Sequence, residues 1–157
     1  MRRFMGVMAA AAMLALVVPL GTVSATPPAD VMFVVDTAIP EEPGPSGGPF
    51  VATGPAVDDG VMCSSGDTID VFGKMSGYQS GRGINVLVVK EFTCDDGSGS
   101  FLVKLQVRID GRGNSFVWTV MGGMGDYATL HGSGSGYGVY PSETLVIDTY
   151  EGKLHLD

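Results

Sequence analysis

Residues 101–120 read FLVKLQVRIDGRGNSFVWTV, two runs of alternating apolar and polar residues joined by a glycine-rich turn. Phe101, Val103, Leu105, Val107 and Ile109 share one face of a strand, opposite Leu102, Lys104, Gln106, Arg108 and Asp110. A period of two is what a sheet with one buried face requires. Asp110-Gly111-Arg112-Gly113-Asn114 supplies residues that tolerate the positive φ of a tight connection. The return strand puts Phe116, Trp118 and Val120 on one face and Ser115, Val117, Thr119 and Met121 on the other. Phe101, Val103, Leu105, Phe116, Trp118 and Val120 are therefore expected to face one interior, while Lys104, Gln106 and Arg108 stay wet. Alternation sets the face and leaves open whether that interior is filled or hollow.

Working outward, the same style of segment recurs. Ile84–Phe92 (INVLVVKEF) is a strand, apolar on both faces at its centre, and Glu143–Tyr150 (ETLVIDTY) is another. Shorter strands are expected at Phe50–Ala52, around Val61–Cys63 and at Thr68–Phe72, with alternation through Gly152–Leu156 to the end. The segment 73–83 reads as a loop around Tyr78. No 3.6-residue period lasts long enough for a substantial helix. Short strands between Gly and Asp turns indicate an all-β sandwich or barrel, and closure into a single antiparallel barrel removes exposed edges. No long internal repeat suggests a propeller or solenoid.

The first 25 residues have another logic. Arg2 and Arg3 precede an apolar run, Phe4–Leu20, and Val23-Ser24-Ala25 forms a small-residue cleavage site. That is the pattern of a cleaved secretory signal peptide; as a retained anchor the run is at the short end of a spanning helix. The twin arginines lack the surroundings of a Tat signal, and lipid anchoring would need a Cys at the cleavage point, whereas the first is Cys63. Residues 26–49 then read as an extended Pro/Gly-rich leader, with Val31–Val35 as a strand at the edge of the sheet, and 50–157 as the barrel domain.

Charge and cysteines narrow the classes. The chain has nine Lys and Arg against 17 Asp and Glu; loss of Arg2 and Arg3 leaves a net charge of −10 (7 − 17). Such an acidic domain repels nucleic acid and anionic membrane surfaces, so neither is an expected partner after signal cleavage. Cys63 and Cys94 are the two cysteines. In an exported protein they read as one disulfide, whose loop contributes roughly 3–4 kcal/mol. Two such distant thiols without a clustered His make poor zinc ligands.

Residues 123–132, GMGDYATLHG, have the form G-x-G-x-Tyr-x-x-Leu-x-G and follow the hairpin directly. This segment resembles the motif of the allene oxide cyclase/dirigent barrel-like superfamily, in particular small secreted bacterial members. Gly123, Gly125 and Gly132 let the backbone turn sharply, with Tyr127 and Leu130 tucked into the barrel. The resemblance implies a roughly eight-stranded antiparallel barrel with an apolar lumen, often assembled as a homo-dimer or trimer. It carries over no catalytic residue, because neither the cyclases' acidic residue nor the dirigent proteins' paired aspartates has a match here.

For chemistry, Phe101, Val103, Leu105, Phe116, Trp118, Val120 and Tyr127 form the candidate ligand-facing set. Packing is the commoner role for a Tyr in a glycine corner and for a lone Trp on an apolar strand face. Asp148 and Glu151 are weighed as an acid/base pair and Glu91 as a lumen carboxylate, against the commoner solvated role of strand carboxylates. His131 and His155 lie far apart in sequence and read as surface residues. The Asp95–Gly99 turn lacks calcium-ligand spacing, and no phosphate-loop, dinucleotide, zinc-protease, haem or nucleophile-elbow signature occurs. No metal or cofactor is expected. The sequence thus points to a secreted acidic barrel that holds a small apolar or amphipathic molecule or serves as an interaction module. The alternative is a cyclase- or isomerase-like enzyme guiding a reactive substrate within a dry lumen. A desolvated titratable group facing the lumen would separate the two.

Overall fold

The alternating segments become the strands of one closed sheet. The structure, a computed structural model, describes residues 26–77, 83–110 and 113–157. Residues 1–25, read as a signal peptide, residues 78–82 and the Gly111-Arg112 tip of the hairpin lie outside the described residues; the segment read as a loop from 73 is strand as far as Ser76. In chain order the elements are β1 (Ala29–Ala38), β2 (Gly47–Thr53), a one-turn helix α1 (Pro55–Asp58), β3 (Ser65–Ser76), β4 (Ile84–Cys94) and β5 (Gly99–Asp110). They continue as β6 (Gly113–Gly125), β7 (Leu130–Ser142) and β8 (Leu145–Leu156). Each strand pairs antiparallel with the next and β8 returns to β1, giving a closed eight-stranded barrel.

The central hairpin forms in the expected register, with Val103 opposite Val120, Leu105 opposite Trp118 and Val107 opposite Phe116. All six residues expected inside are buried, and Gln106 and Arg108 are exposed.

The barrel begins earlier than residue 50. The stretch read as a leader supplies the whole of β1, which runs beside β8 from Ala29 opposite Leu154 to Ala38 opposite Leu145. Val31, Phe33, Val35 and Thr37 alternate inward along it and are buried. Because β1 has neighbours on both sides it is no edge strand. The Pro/Gly run that reads as a linker is only the β1–β2 connection, and it ends in Gly47 and Gly48, which already belong to β2. A Cβ at Gly47 would collide with the Thr68 carbonyl, so the glycine is what lets β2 lie against β3 there.

Inside, the two halves of the barrel differ. At the closed end, the segment containing α1 covers the opening with Ala56, Val61 and Met62. The Cys63–Cys94 disulfide ties this cover to the end of β4. Tyr127, in the turn before β7, packs edge-on to Phe101, and its hydroxyl meets Ser98 Oγ at 2.8 Å. Above it lies an aromatic layer. Phe33 stacks on Tyr150 (centroids 4.4 Å) and Phe92 on Phe101 (5.1 Å), while Trp118 meets Phe33 edge-on and donates its indole N–H to the Ser135 carbonyl. Gly134 and Gly136 on β7 present bare backbone to Trp118 and Phe116, and a side chain at either would strike those rings. This half is filled.

Burial decreases toward the other end: along β5, Phe101, Val103 and Leu105 are buried, whereas Val107 and Ile109 are only half-buried. Trp118→Ala should therefore cost about 3–5 kcal/mol through the cavity it leaves. Lys104→Ala, on the outer face, should change stability by no more than about 0.5 kcal/mol. Urea unfolding of both variants measures the contrast, and a larger loss in Lys104→Ala would reverse inside and outside.

Candidate functional site

A β-bulge on β3 decides what the open half contains. Thr68 and Asp70 point inward, opposite Phe92 and Lys90 of β4; the register then slips by one residue between Asp70 and Phe72. Strict alternation would send Phe72 into the lumen. The slip turns it out, where it is 48% exposed, and brings Gly73 opposite Val88 instead. A Cβ at Gly73 would touch nothing. The open half of the lumen, bordered on β3 by Asp70 and Met75, keeps an unfilled space.

The space is a cavity of about 170 Å³. Its walls include Val86, Val88, Leu105, Val107, Ile109 and Val146, and its polar groups are Thr37, Ser46, Asp70, Lys90, Asn114, Tyr140 and Asp148. A larger concavity, about 820 Å³, is bordered mainly by outward-facing side chains such as Lys74, Gln106, Arg108 and Val117. That one is a surface groove without a buried charged group, so the smaller lumen cavity is the better candidate.

The polar groups sit directly above the aromatic layer, where water is scarce. Lys90, only 2% exposed, forms an ion pair with Asp70, Nζ to Oδ1 2.7 Å. Its second contact, to Thr37 Oγ1, is long at 3.5 Å. The Thr37 hydroxyl in turn donates to Asp148 Oδ2 at 3.4 Å. Asn114 also donates to Asp148 and, through Nδ2, to the Tyr140 hydroxyl at 3.0 Å. Burial raises the pKa of Asp148 above its ordinary 3.8, opposed by the positive charge of Lys90 and by the hydrogen bonds from Asn114 and Thr37. Burial also drives the Tyr150 phenol well above its ordinary value, helped by the negative charges of Asp148 and Asp70. Two polar atoms here are buried without a hydrogen-bond partner: Asn114 Oδ1 and the Tyr150 hydroxyl. A buried polar atom left unpaired costs free energy, about 1–3 kcal/mol, which a bound group can recover.

Of the seven residues the sequence marks as ligand-facing, Leu105 and Phe116 line this cavity. Phe101, Val103, Trp118, Val120 and Tyr127 belong to the packed half, and the motif glycines Gly123 and Gly125 lie at that closed end too. The Asp148/Glu151 pair does not form, because residues three apart on a strand point to opposite faces; Glu151 is exposed outside. Glu91 likewise faces outward and accepts a hydrogen bond from Ser100 Oγ at 3.1 Å. His131 and His155 are brought together, ring centroids 5.4 Å apart, by the β7–β8 register. They pair with Asp157 on the outer surface, away from the cavity.

Compared with protein-family models, curated proteins and solved structures, this chain matches none of them. Sequence reasoning missed Lys90, Asp70 and Thr37. Parity was the available signal: Lys90 is two residues from Phe92 and Asp148 two from Tyr150, so each shares a face with a core aromatic.

The pKa shift of Asp148 has a definite sign. A carboxyl whose folded pKa is raised contributes stability that is present below 3.8 and lost as pH rises through the folded value. Asp148→Asn should therefore gain stability relative to the wild type as pH is raised from about 4 to 7. Urea midpoints at several pH values test this, and a pH-independent difference would contradict the buried, proton-retaining carboxyl.

Proposed function

We propose that this protein is a secreted, non-catalytic barrel that holds a small amphipathic molecule in the open half of its lumen. One observation carries the reading: an apolar-walled cavity with a floor of buried charged groups and unfilled acceptors. The ligand's apolar body would lie against Val86, Val88, Leu105, Val107 and Val146, and its polar end would meet Asp148 and Asn114. A dry apolar cavity of about 150 Å³ takes up benzene, so a molecule of single-ring size suits a space of about 170 Å³.

Export is part of the same proposal. It is supported by the signal-peptide pattern of residues 1–25 and by the disulfide. No helix among the described residues is long and apolar enough to cross a membrane. Kinship with the allene oxide cyclase/dirigent barrel-like proteins rests on the Gly123–Gly132 motif, and an eight-stranded antiparallel barrel is compatible with it.

A cyclase- or isomerase-like activity is the second reading. Asp148 favours it, because a buried carboxyl that retains its proton above the ordinary range can serve as a general acid. The first reading is preferred because the contacts that link Lys90 through Thr37 to Asp148 are long, 3.5 and 3.4 Å, and form no tight acid–base relay.

Benzyl alcohol should bind the wild type saturably, with a Kd of about 1 mM or tighter by calorimetry. Val88→Phe, which fills the cavity from β4, should abolish that binding while the barrel's far-UV spectrum persists. Binding that survives in Val88→Phe would place the ligand elsewhere, and no saturable binding to the wild type would end the holding proposal.

A further inference from the structure

Chemistry within the cavity narrows its occupant. Among the described residues, the charged groups facing it are the carboxylates of Asp70 and Asp148 and the ammonium of Lys90. Lys90 lies 2.7 Å from Asp70 and is largely committed to it. Asp148 is left with two weak supports, the long bond from Thr37 and the amide of Asn114. The uncharged polar groups around it are Thr37 on β1, Asn114 on β6, Tyr140 on β7 and Tyr150 beside it on β8, while β5 contributes only apolar side chains. Most of the unfilled capacity accepts. Asn114 Oδ1 and ionised Asp148 can only accept, while the unpartnered Tyr150 hydroxyl has both lone pairs and an O–H to offer.

We infer that the occupant is a small primary amine carrying one ring or a short alkyl body, bound as its ammonium ion against Asp148 and Asn114 Oδ1. This rests on the lumen being a holding site. An ammonium brings three N–H donors and one positive charge, which matches the excess carboxylate and the orphaned acceptor together. An alcohol brings one donor and leaves the charge imbalance. A carboxylate ligand would add a third negative charge to two, in a poorly solvated space where repulsion is weakly screened. Lys90 is the internal precedent: the same layer already holds one ammonium, nine-tenths and more buried, against the partly exposed carboxylate of Asp70. Burial raises the pKa of Asp148, so a proton competes with the ammonium for the same carboxylate.

Benzylamine, benzyl alcohol and benzoate share one ring and differ in the head group, so their titration into the full exported chain separates the cases. At pH 7 benzylamine should bind at least about tenfold more tightly than benzyl alcohol, and benzoate should not bind measurably. Benzylamine affinity should rise with pH as Asp148 loses its proton, then level off until the amine itself deprotonates. Asp148→Asn should remove the roughly tenfold advantage of benzylamine over benzyl alcohol. If benzyl alcohol binds as well as benzylamine or better, the amine inference is overturned and the holding site stands. If none of the three binds, both fall. Should Asp148→Asn not fold, the wild-type pH profile decides, and a flat or falling benzylamine profile overturns the inference.

Discussion

Closure of β8 onto β1 is the constraint on which the other features depend. The pairing runs the full length of β1, from Ala29 to Ala38, and leaves the sheet without an edge. A barrel of eight strands is just wide enough for side chains to fill, so whether it holds anything is settled by the size of what points inward. Phe33, Phe92, Phe101, Trp118 and Tyr150 fill one half. The β3 bulge turns Phe72 out of the other half, where Asp70 and Met75 are the β3 side chains that border the cavity. The shortest strand, β2, meets β3 only along Gly47–Val51. The disulfide from Cys63 to Cys94 bridges the β2–β3 connection to β4 beside this short pairing.

The charged layer at the floor of the chamber is costly as a source of stability. Moving an ammonium and two carboxylates out of water is repaid only when geometry is good and every lone pair is used. Here one ion pair is close, the bonds around Thr37 are long, and the Tyr150 hydroxyl and Asn114 Oδ1 go unpaired. Such a layer fits a site whose complement arrives from outside. The aromatic layer beneath it excludes water from below, and the apolar walls of β4 and β5 confine the approach to the open end.

Much of this was legible in the chain. Alternation in 101–109 and 116–120, with the Gly-rich turn between, determined the hairpin, its buried face and the all-β class, because side-chain direction in a strand depends only on parity. Two cysteines in an acidic chain with a signal-like start determined the disulfide as the expected state of Cys63 and Cys94. Parity also carried the information that Lys90 and Asp148 face inward, although their charge argued for solvent. What tertiary structure alone decided was everything that depends on partners distant in sequence. β1 became a full member of the barrel because β8, more than a hundred residues later, pairs with it. His131 and His155 met, and Asp148 and Glu151 parted, for reasons of register and face. The bulge at Val71, which is written in no local pattern, turned Phe72 to the outer face. The meeting of Thr37, Asp70, Lys90, Asn114 and Asp148 from five strands exists only once the sheet has closed, since no two of them are neighbours in the chain.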